Sequence, residues 1–409
     1  MKTLDVLIVA AGGYGGQYVQ AILSYGEDHG LRIVGIVEPF PESVRQRCEL
    51  EALGVPWFDA VEDFYAAGLK ADLALISSPI QFHKSQAITC LANGSHVLCE
   101  KPLCSTVEDL EELIRVRDES GKMLAVGYQW SWAPAVQAFK RDALAGKFGK
   151  LLSMKTLIRW PRDTAYFSRG IGWAGKLRAS DGTWILDSIA HNACGHYLHH
   201  MLYTAGPAQD ACAVPKTVQA TLLRANAIEN FDTAFIRAEN EAGVSYLFLA
   251  SHAVRENVNP LFTFTYEKAV ATYVEDEDAH IRVKFSDGRE LDYGGMGERS
   301  DMGSIHYPKL WHMAAAIRGE EALCCPPEAV LGHTKTLCAA QLSCPVRDFP
   351  REIVCEQTLS AAQYFVPGLD ELLLACYEEN RLPGAQDPLW AKSGAIVSTD
   401  SVTPFSMEV

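Results

Sequence analysis

Residues 4–9 form a short apolar run rich in β-branched side chains and meet the cluster Gly12-Gly13-Tyr14-Gly15-Gly16 with no polar spacer. That is the pattern of a buried strand feeding a tight turn. Apolar residues at helical spacing follow over 17–25, and residues 32–37 give a second buried-type strand that ends at Glu38. The alternation continues, with helices predicted over 42–53, 61–67, 84–93 and 107–120 and strands over 71–76, 96–99 and 123–128. Strands and helices in alternation build a parallel sheet covered on both faces. Past Gln129 the period changes to two. Strands are predicted over 151–160, 217–226, 233–239, 245–251, 261–266, 269–275 and 280–285, with few helices between them, which argues for a mainly antiparallel sheet. Helices are expected over 135–145, 183–203, 307–318, 328–341 and 359–380. The residues after Pro383 mix Gly, Ser, Thr and Pro and read as a loosely held tail. The fold class is α/β, with a doubly wound parallel sheet in residues 1–128. A second α/β domain with a large open, mainly antiparallel sheet occupies 129–382, and the tail 383–409.

Composition narrows the function classes. The chain has 409 residues, 48% of them hydrophobic and 21% charged, ordinary values for a globular protein of two or three domains. A net charge of -15 argues against nucleic acid or an anionic membrane as partner, since both need a basic face. Twelve cysteines are scattered with no C-x-x-C pair, which reads as buried thiols in a reducing cytoplasm. The first strand begins almost at Met1, leaving no room for a leader, and no run reaches the length of a membrane span. A cytoplasmic protein acting on a small molecule is expected.

The glycine turn names the cofactor. A pyrophosphate sits on a helix N-terminus, where backbone N–H groups and the dipole meet its charge, so the chain must approach closely there. Gly12, Gly13, Tyr14 and Gly15 supply that turn, in the form A-x-G-x-x-G with Ala10 where a first glycine is usual. Glu38 falls about twenty residues on, where a carboxylate accepts from ribose hydroxyls and repels a 2′-phosphate. This arrangement is a Rossmann turn and favours NAD over NADP. Ligands of such sheets bind beyond the carboxyl ends of the strands, which adds Ser78, Pro79, His83, Glu100, Lys101 and Gln129 as cofactor contacts.

Further motifs carry a family resemblance. Ser78-Pro79-Ile80-Gln81-Phe82-His83, then Val97-Leu98-Cys99-Glu100-Lys101-Pro102, then Gly182 through Asp187-Ser188-Ile189-Ala190-His191 stand in order along the chain. Over residues 4 to 345 the sequence resembles the Gfo/Idh/MocA oxidoreductases, named for glucose-fructose oxidoreductase, inositol dehydrogenase and a rhizopine catabolism protein. The resemblance implies a nicotinamide cofactor on a Rossmann domain, a C-terminal open-sheet domain, and catalysis at their interface by Lys101, Asp187 and His191. It also implies a homodimer or homotetramer. The chemistry fits: a histidine titrates near working pH and can take a hydroxyl proton while hydride leaves the same carbon. An ammonium such as Lys101 stabilises the developing alkoxide. Asp187 and His191, four apart, share a face of the helix predicted over 183–203. Two departures stand out. The family's arginine after the last Rossmann strand is Ser131 here, and the glycine of Asp-x-Gly-x-His is Ile189.

Arg162, Tyr166, Arg169, Trp173 and Lys176 make an aromatic and basic stretch suited to a sugar ring. Arg162, Trp173, Lys176 and, beside His191, Asn192 are the candidate substrate contacts. His196 and His200 also stand four apart, but on one helix they point away from Asp187 and His191, and no metal site is expected. The expected activity is NAD-dependent hydride transfer with a secondary hydroxyl of a sugar, polyol or glycoside. Two alternatives keep the same fold: glycoside cleavage with catalytic NAD, and a non-catalytic dinucleotide-binding regulator.

Overall fold

The computed structural model describes residues 2–169, 172–275, 278–296, 306–358 and 360–407. They pack into two compact units. The first takes residues 1–104, 109–133 and 297–330. Its sheet has six parallel strands in the spatial order Trp57–Phe58, Leu31–Val37, Leu4–Val9, Leu73–Ile76, His96–Cys99, Leu124–Val126. The order reverses beside Leu4–Val9, and in doubly wound sheets a ligand crevice opens at that switch point. Helices Gly15–His29, Ile80–Ala92 and Val107–Ser120 lie in the crossovers. Leu73 to Ile76, Val97 to Cys99 and Leu124 to Val126 are all fully buried, as strands covered on both faces must be.

Helix Pro308–Ile317 belongs to this first unit, whereas chain order places it in the second domain. It packs against helix Gly15–His29, strand His96–Cys99 and the turn Gln129–Trp132 through Lys309, Leu310 and Met313. A sequence read in order cannot see such a return.

The second unit takes residues 105–108, 134–296 and 331–409. Its sheet runs Glu290–Gly295, His280–Phe285, Ala269–Val274, Val258–Tyr266, Leu151–Arg159, Ser245–Ser251, Thr233–Glu239, Thr217–Arg224, Arg347–Asp348. All neighbours are antiparallel except Leu151–Arg159 with Ser245–Ser251 and the final pair. Ser245–Ser251 is buried along its whole length. Helix Leu369–Glu378 packs on one side, through Leu369, Leu372, Leu373 and Cys376, and helices Gly195–Thr204 and Leu331–Ser343 also pack on strands of this sheet.

Three expectations are corrected. The helix expected over 359–380 is shorter, Leu369–Glu378, because Cys355–Thr358 and Ala362–Phe365 form a hairpin; residue 359 lies outside the described residues. The tail is not loose. Val397–Ser398 pairs with Thr217–Arg224, Val402 is fully buried, and Thr399 Oγ1 donates to the Pro215 carbonyl at 2.6 Å. The helix expected over 183–203 is broken. Leu186 has φ +48° and Ser188 is extended at φ -154°, ψ 170°, so the regular helix starts only at Gly195. No disulfide joins any of the twelve cysteines, and no helix among the described residues is long and apolar enough to cross a membrane.

Candidate functional site

The dinucleotide turn is built from close backbone approaches. A Cβ placed on Gly15 would lie 2.1 Å from the Ala10 carbonyl oxygen and 3.4 Å from Ser77 Cβ, so only glycine can open the helix here. Ala10 itself sits at φ +65°, a left-handed conformation that costs a non-glycine residue about 1–2 kcal/mol. A Cβ on Gly13 would meet nothing within 4 Å, so the turn presents an open cradle on that side, as a bound pyrophosphate requires. Glu38 is buried; its carboxylate accepts from the Gly12 amide at 3.0 Å and the Phe40 amide at 3.1 Å. Two amide donors leave acceptor capacity for ribose hydroxyls. These residues fit a dinucleotide.

Beyond the next strands, Ser78 Oγ donates to Gln86 Oε1 at 2.5 Å, and Pro79 precedes helix Ile80–Ala92. His83 is buried in that helix. Its Nδ1 lies 2.7 Å from the Pro102 carbonyl and its Nε2 2.7 Å from the Ser78 carbonyl, so the ring ties the Ser78 turn to the Glu-Lys-Pro turn. Both ring nitrogens thus lie at hydrogen-bond distance from carbonyls of these two loops. Gln129 opens the short turn Gln129–Trp132, half-buried, and Ser131 is buried in that turn.

Glu100 organises the middle of the unit. Its carboxylate occupies the space a side chain at residue 127 would need: a Gly127 Cβ would lie 2.8 Å from Oε1. It accepts from the Tyr18 hydroxyl at 2.6 Å and the Lys101 amide at 3.3 Å, and pairs with the fully buried Lys309 ammonium. The Lys309 Nζ is 4.5 Å from the Tyr14 ring centroid and 5.3 Å from that of Tyr18. Burial pushes the ammonium down and Glu100 opposes that shift; burial and then Glu100 push the Tyr14 and Tyr18 phenols up. Tyr14 Oη is 2.7 Å from His306 Nδ1. Lys309 and His306 escape a reading from sequence. The available signal is that Lys309 falls on the same helical stripe as Met313 and Ala316, a cation where an apolar residue belongs.

In the second unit Asp187 and His191 do not share a helix face. Asp187 Oδ2 accepts from the Gly175 amide at 2.6 Å, in an irregular stretch. Ser188 then caps a wide turn, its Oγ accepting from the His191 amide at 3.2 Å, and Cys194 N closes the turn on the Ile189 carbonyl at 2.7 Å. Such i→i+5 turns cluster at functional sites. The angular argument that set His196 and His200 apart therefore loses its basis. No group of three or more His, Cys, Asp or Glu among the described residues could hold a metal ion. His191 is buried, its ring nearly parallel to that of His333 at 6.0 Å, and Asn192 is half-buried in the same turn. Arg162, Arg169 and Trp173 gather around Tyr166. Lys176 instead pairs with Glu229 at 2.6 Å. Lys101 belongs to the first unit and Asp187 and His191 to the second.

Buried histidines in this unit give a pH dependence. Burial pushes His200 and His252 down to about 3, with Lys140 adding to the shift at the first and Arg162 at the second. Unfolded, each titrates near about 6.5. Between those values the unfolded chain binds protons that the folded chain does not. Stability therefore falls as pH drops from about 6.5 toward 3, by up to about 1.4 kcal/mol per pH unit for each imidazole. Urea midpoints at about pH 7 and pH 5 measure this, and equal midpoints count against it.

A family model described as an oxidoreductase family with an NAD-binding Rossmann fold matches residues 4–128. Inositol 2-dehydrogenase of Corynebacterium glutamicum is 30% identical over 161 residues, 39% of this chain and 47% of that protein. 1,5-anhydro-D-fructose reductase of Ensifer adhaerens is 31% identical over 124 residues, 30% of this chain and 35% of that protein. The chain thus spans less than half the length of these relatives. Among solved structures, the WlbA dehydrogenase of Chromobacterium violaceum in complex with NADH and UDP-GlcNAcA has a TM-score of 0.70 at 20% identity, covering 84% of this chain and 94% of that one. That likeness shows a shared fold.

Proposed function

We propose that this chain, whose residues 4–128 match the model of the Gfo/Idh/MocA oxidoreductase family, moves a hydride between a secondary hydroxyl of a sugar, polyol or glycoside and NAD. The observation that carries the reading is the dinucleotide turn, with Gly15 pressed on the Ala10 carbonyl and Glu38 beside it. NAD, when bound, supplies the hydride acceptor. The chain's own residues handle the proton and the charge. His191 takes the hydroxyl proton, Lys101 stabilises the negative charge that develops on the oxygen, and Asp187, fixed by the Gly175 amide, accepts from a neighbouring hydroxyl. Ser78, Pro79, Glu100 and Gln129 line the cofactor; Arg162, Trp173 and Asn192 meet the substrate. Supporting the sugar class are the relatives' names, inositol 2-dehydrogenase and 1,5-anhydro-D-fructose reductase. The same reading makes the protein a cytoplasmic homodimer or homotetramer.

Glu38 sets the preference for NAD over NADP. Replacing it, as Glu38→Ser, removes the acceptor for the ribose hydroxyls and the charge that repels a 2′-phosphate. A hydrogen bond to a charged group contributes about 1.5–3 kcal/mol, so the NAD to NADP affinity ratio should fall about tenfold to a hundredfold, read by fluorescence titration. An unchanged ratio removes Glu38 from the adenosine site. The reading as a whole is tested by loading the protein with NAD and adding inositols, hexoses, uronic acids and aryl glycosides one at a time. One reduced nicotinamide per site with some compound is the expected result; no reduced nicotinamide with any compound, despite NAD binding, overturns it.

A further inference from the structure

Arg162 and Arg169 converge on one aromatic ring. The Arg169 guanidinium is 3.5 Å from the Tyr166 centroid and 5.0 Å from that of Trp173. The Arg162 guanidinium is 5.0 Å from the Tyr166 centroid and 5.5 Å from that of Trp160. Two cations sharing a half-buried ring repel each other, and an aromatic face compensates each only weakly. In this acid-rich chain many other arginines have a carboxylate: Arg32 has Asp5, Arg117 has Glu328, Arg224 has Asp348 and Arg381 has Asp387. Among the described residues neither Arg162 nor Arg169 is in an ion pair.

The groups around them do not neutralise the pair. Asp163, next in sequence to Arg162, caps the short helix Thr164–Phe167, its Oδ1 accepting from the Tyr166 amide at 3.0 Å. His252, with its ring centroid 5.7 Å from that of Tyr166, is buried and held neutral at pH 7, so it adds no charge. Arg162 donates to the Pro161 carbonyl at 3.0 Å and Arg169 to the Tyr166 carbonyl. A guanidinium has five N–H donors in a planar fork, so most of them remain for a ligand. Burial pushes the Tyr166 phenol up, the two arginines oppose that shift and Asp187 adds to it, so the ring that the arginines share also feels the carboxylate assigned to substrate.

We propose that Arg162 and Arg169 bind an oxyanion carried by the substrate, so that the sugar turned over here is an acid sugar or a sugar phosphate and not a neutral hexose or polyol. A planar guanidinium fork matches carboxylate and phosphate alike. This rests on the dehydrogenase reading of the same site and narrows its substrate class.

The test uses the NAD-loaded protein and three probes that differ only at one carbon, D-glucose, D-glucuronate and D-glucose 6-phosphate, with their galacto counterparts. Tryptophan emission follows binding and nicotinamide emission follows hydride transfer. At least one anion should bind about tenfold or more tightly than its neutral counterpart, the advantage should shrink with added salt, and whichever anion wins names the oxyanion. Arg169→Gln should bring the anion's affinity and kcat/KM down to those of the neutral sugar, with the larger change in KM, and Arg169→Lys should keep part of the advantage. Neutral sugars binding as tightly as the anions, none of the six binding, or Arg169→Gln weakening neutral and anionic sugars equally each overturn the proposal. Arginine-dependent anion binding without reduced nicotinamide leaves this inference standing and removes the dehydrogenase reading. Reduction by neutral and anionic sugars alike does the reverse.

Discussion

Lys309→Met is expected to destabilise the protein by about 3–5 kcal/mol, the range for removing one partner of a buried ion pair. The ammonium is fully buried and paired with Glu100, which also holds the Tyr18 hydroxyl at 2.6 Å. Methionine fills a similar volume, so little of the loss comes from packing. It comes from leaving a carboxylate with one phenol and one backbone amide in place of a counter-charge. The double variant Glu100→Gln/Lys309→Met removes both charges and should recover much of the lost stability, because a well-packed neutral pair is often as stable as the ion pair it replaces. Because Tyr18 lies on helix Gly15–His29, whose N-terminus forms the dinucleotide turn, NAD affinity should fall in the single variant and return in the double. Urea unfolding and NAD titration measure the two effects. Lys309→Met unfolding at the wild-type urea concentration contradicts the argument.

That pair also marks where the sequence stops being legible. Strands with a strict pattern are readable to the residue: Thr233–Glu239, Ser245–Ser251 and His280–Phe285 stand where the apolar positions put them. The edge strand Glu290–Gly295 is not readable, since none of its residues is buried enough to mark a core face and it ends in two glycines. The stretch over 183–203 carries helical spacing throughout, yet tertiary contacts override it. The Asp187 carboxylate takes a backbone amide at Gly175, and the chain turns through a left-handed Leu186 to deliver it. The tail is ordered by pairing with a strand some 180 residues earlier in the chain, which composition cannot reveal. The close approach of Gly15 to the Ala10 carbonyl and the place of Glu38 beside the Gly12 amide are legible because the turn's physics allows few alternatives. Lys309 is not, because its partner is 209 residues away.

His191→Ala should lower turnover by about 10²–10⁴-fold, the usual contribution of a positioned general base. The substitution leaves the turn that positions residue 191 intact, since the Ser188 hydroxyl accepts from the backbone amide and Cys194 N closes on the Ile189 carbonyl. It removes a buried ring that stacks at 6.0 Å on His333, so some stability is lost as well. The two effects separate in experiment. If His191 is only a packing residue, Tm falls while kcat, measured well below Tm, stays at the wild-type value. If it is the base, kcat falls at temperatures where the variant is fully folded, and NAD binding persists because residues 10–15 and 38 are unchanged. Lys101→Ala should show a comparable loss, and Lys101→Arg a smaller one, because arginine keeps the charge that the developing oxyanion needs but spreads it over a planar group. Unchanged turnover in both His191→Ala and Lys101→Ala leaves the fold with a dinucleotide site and no assigned chemistry, and moves the reading to a regulator that binds NAD.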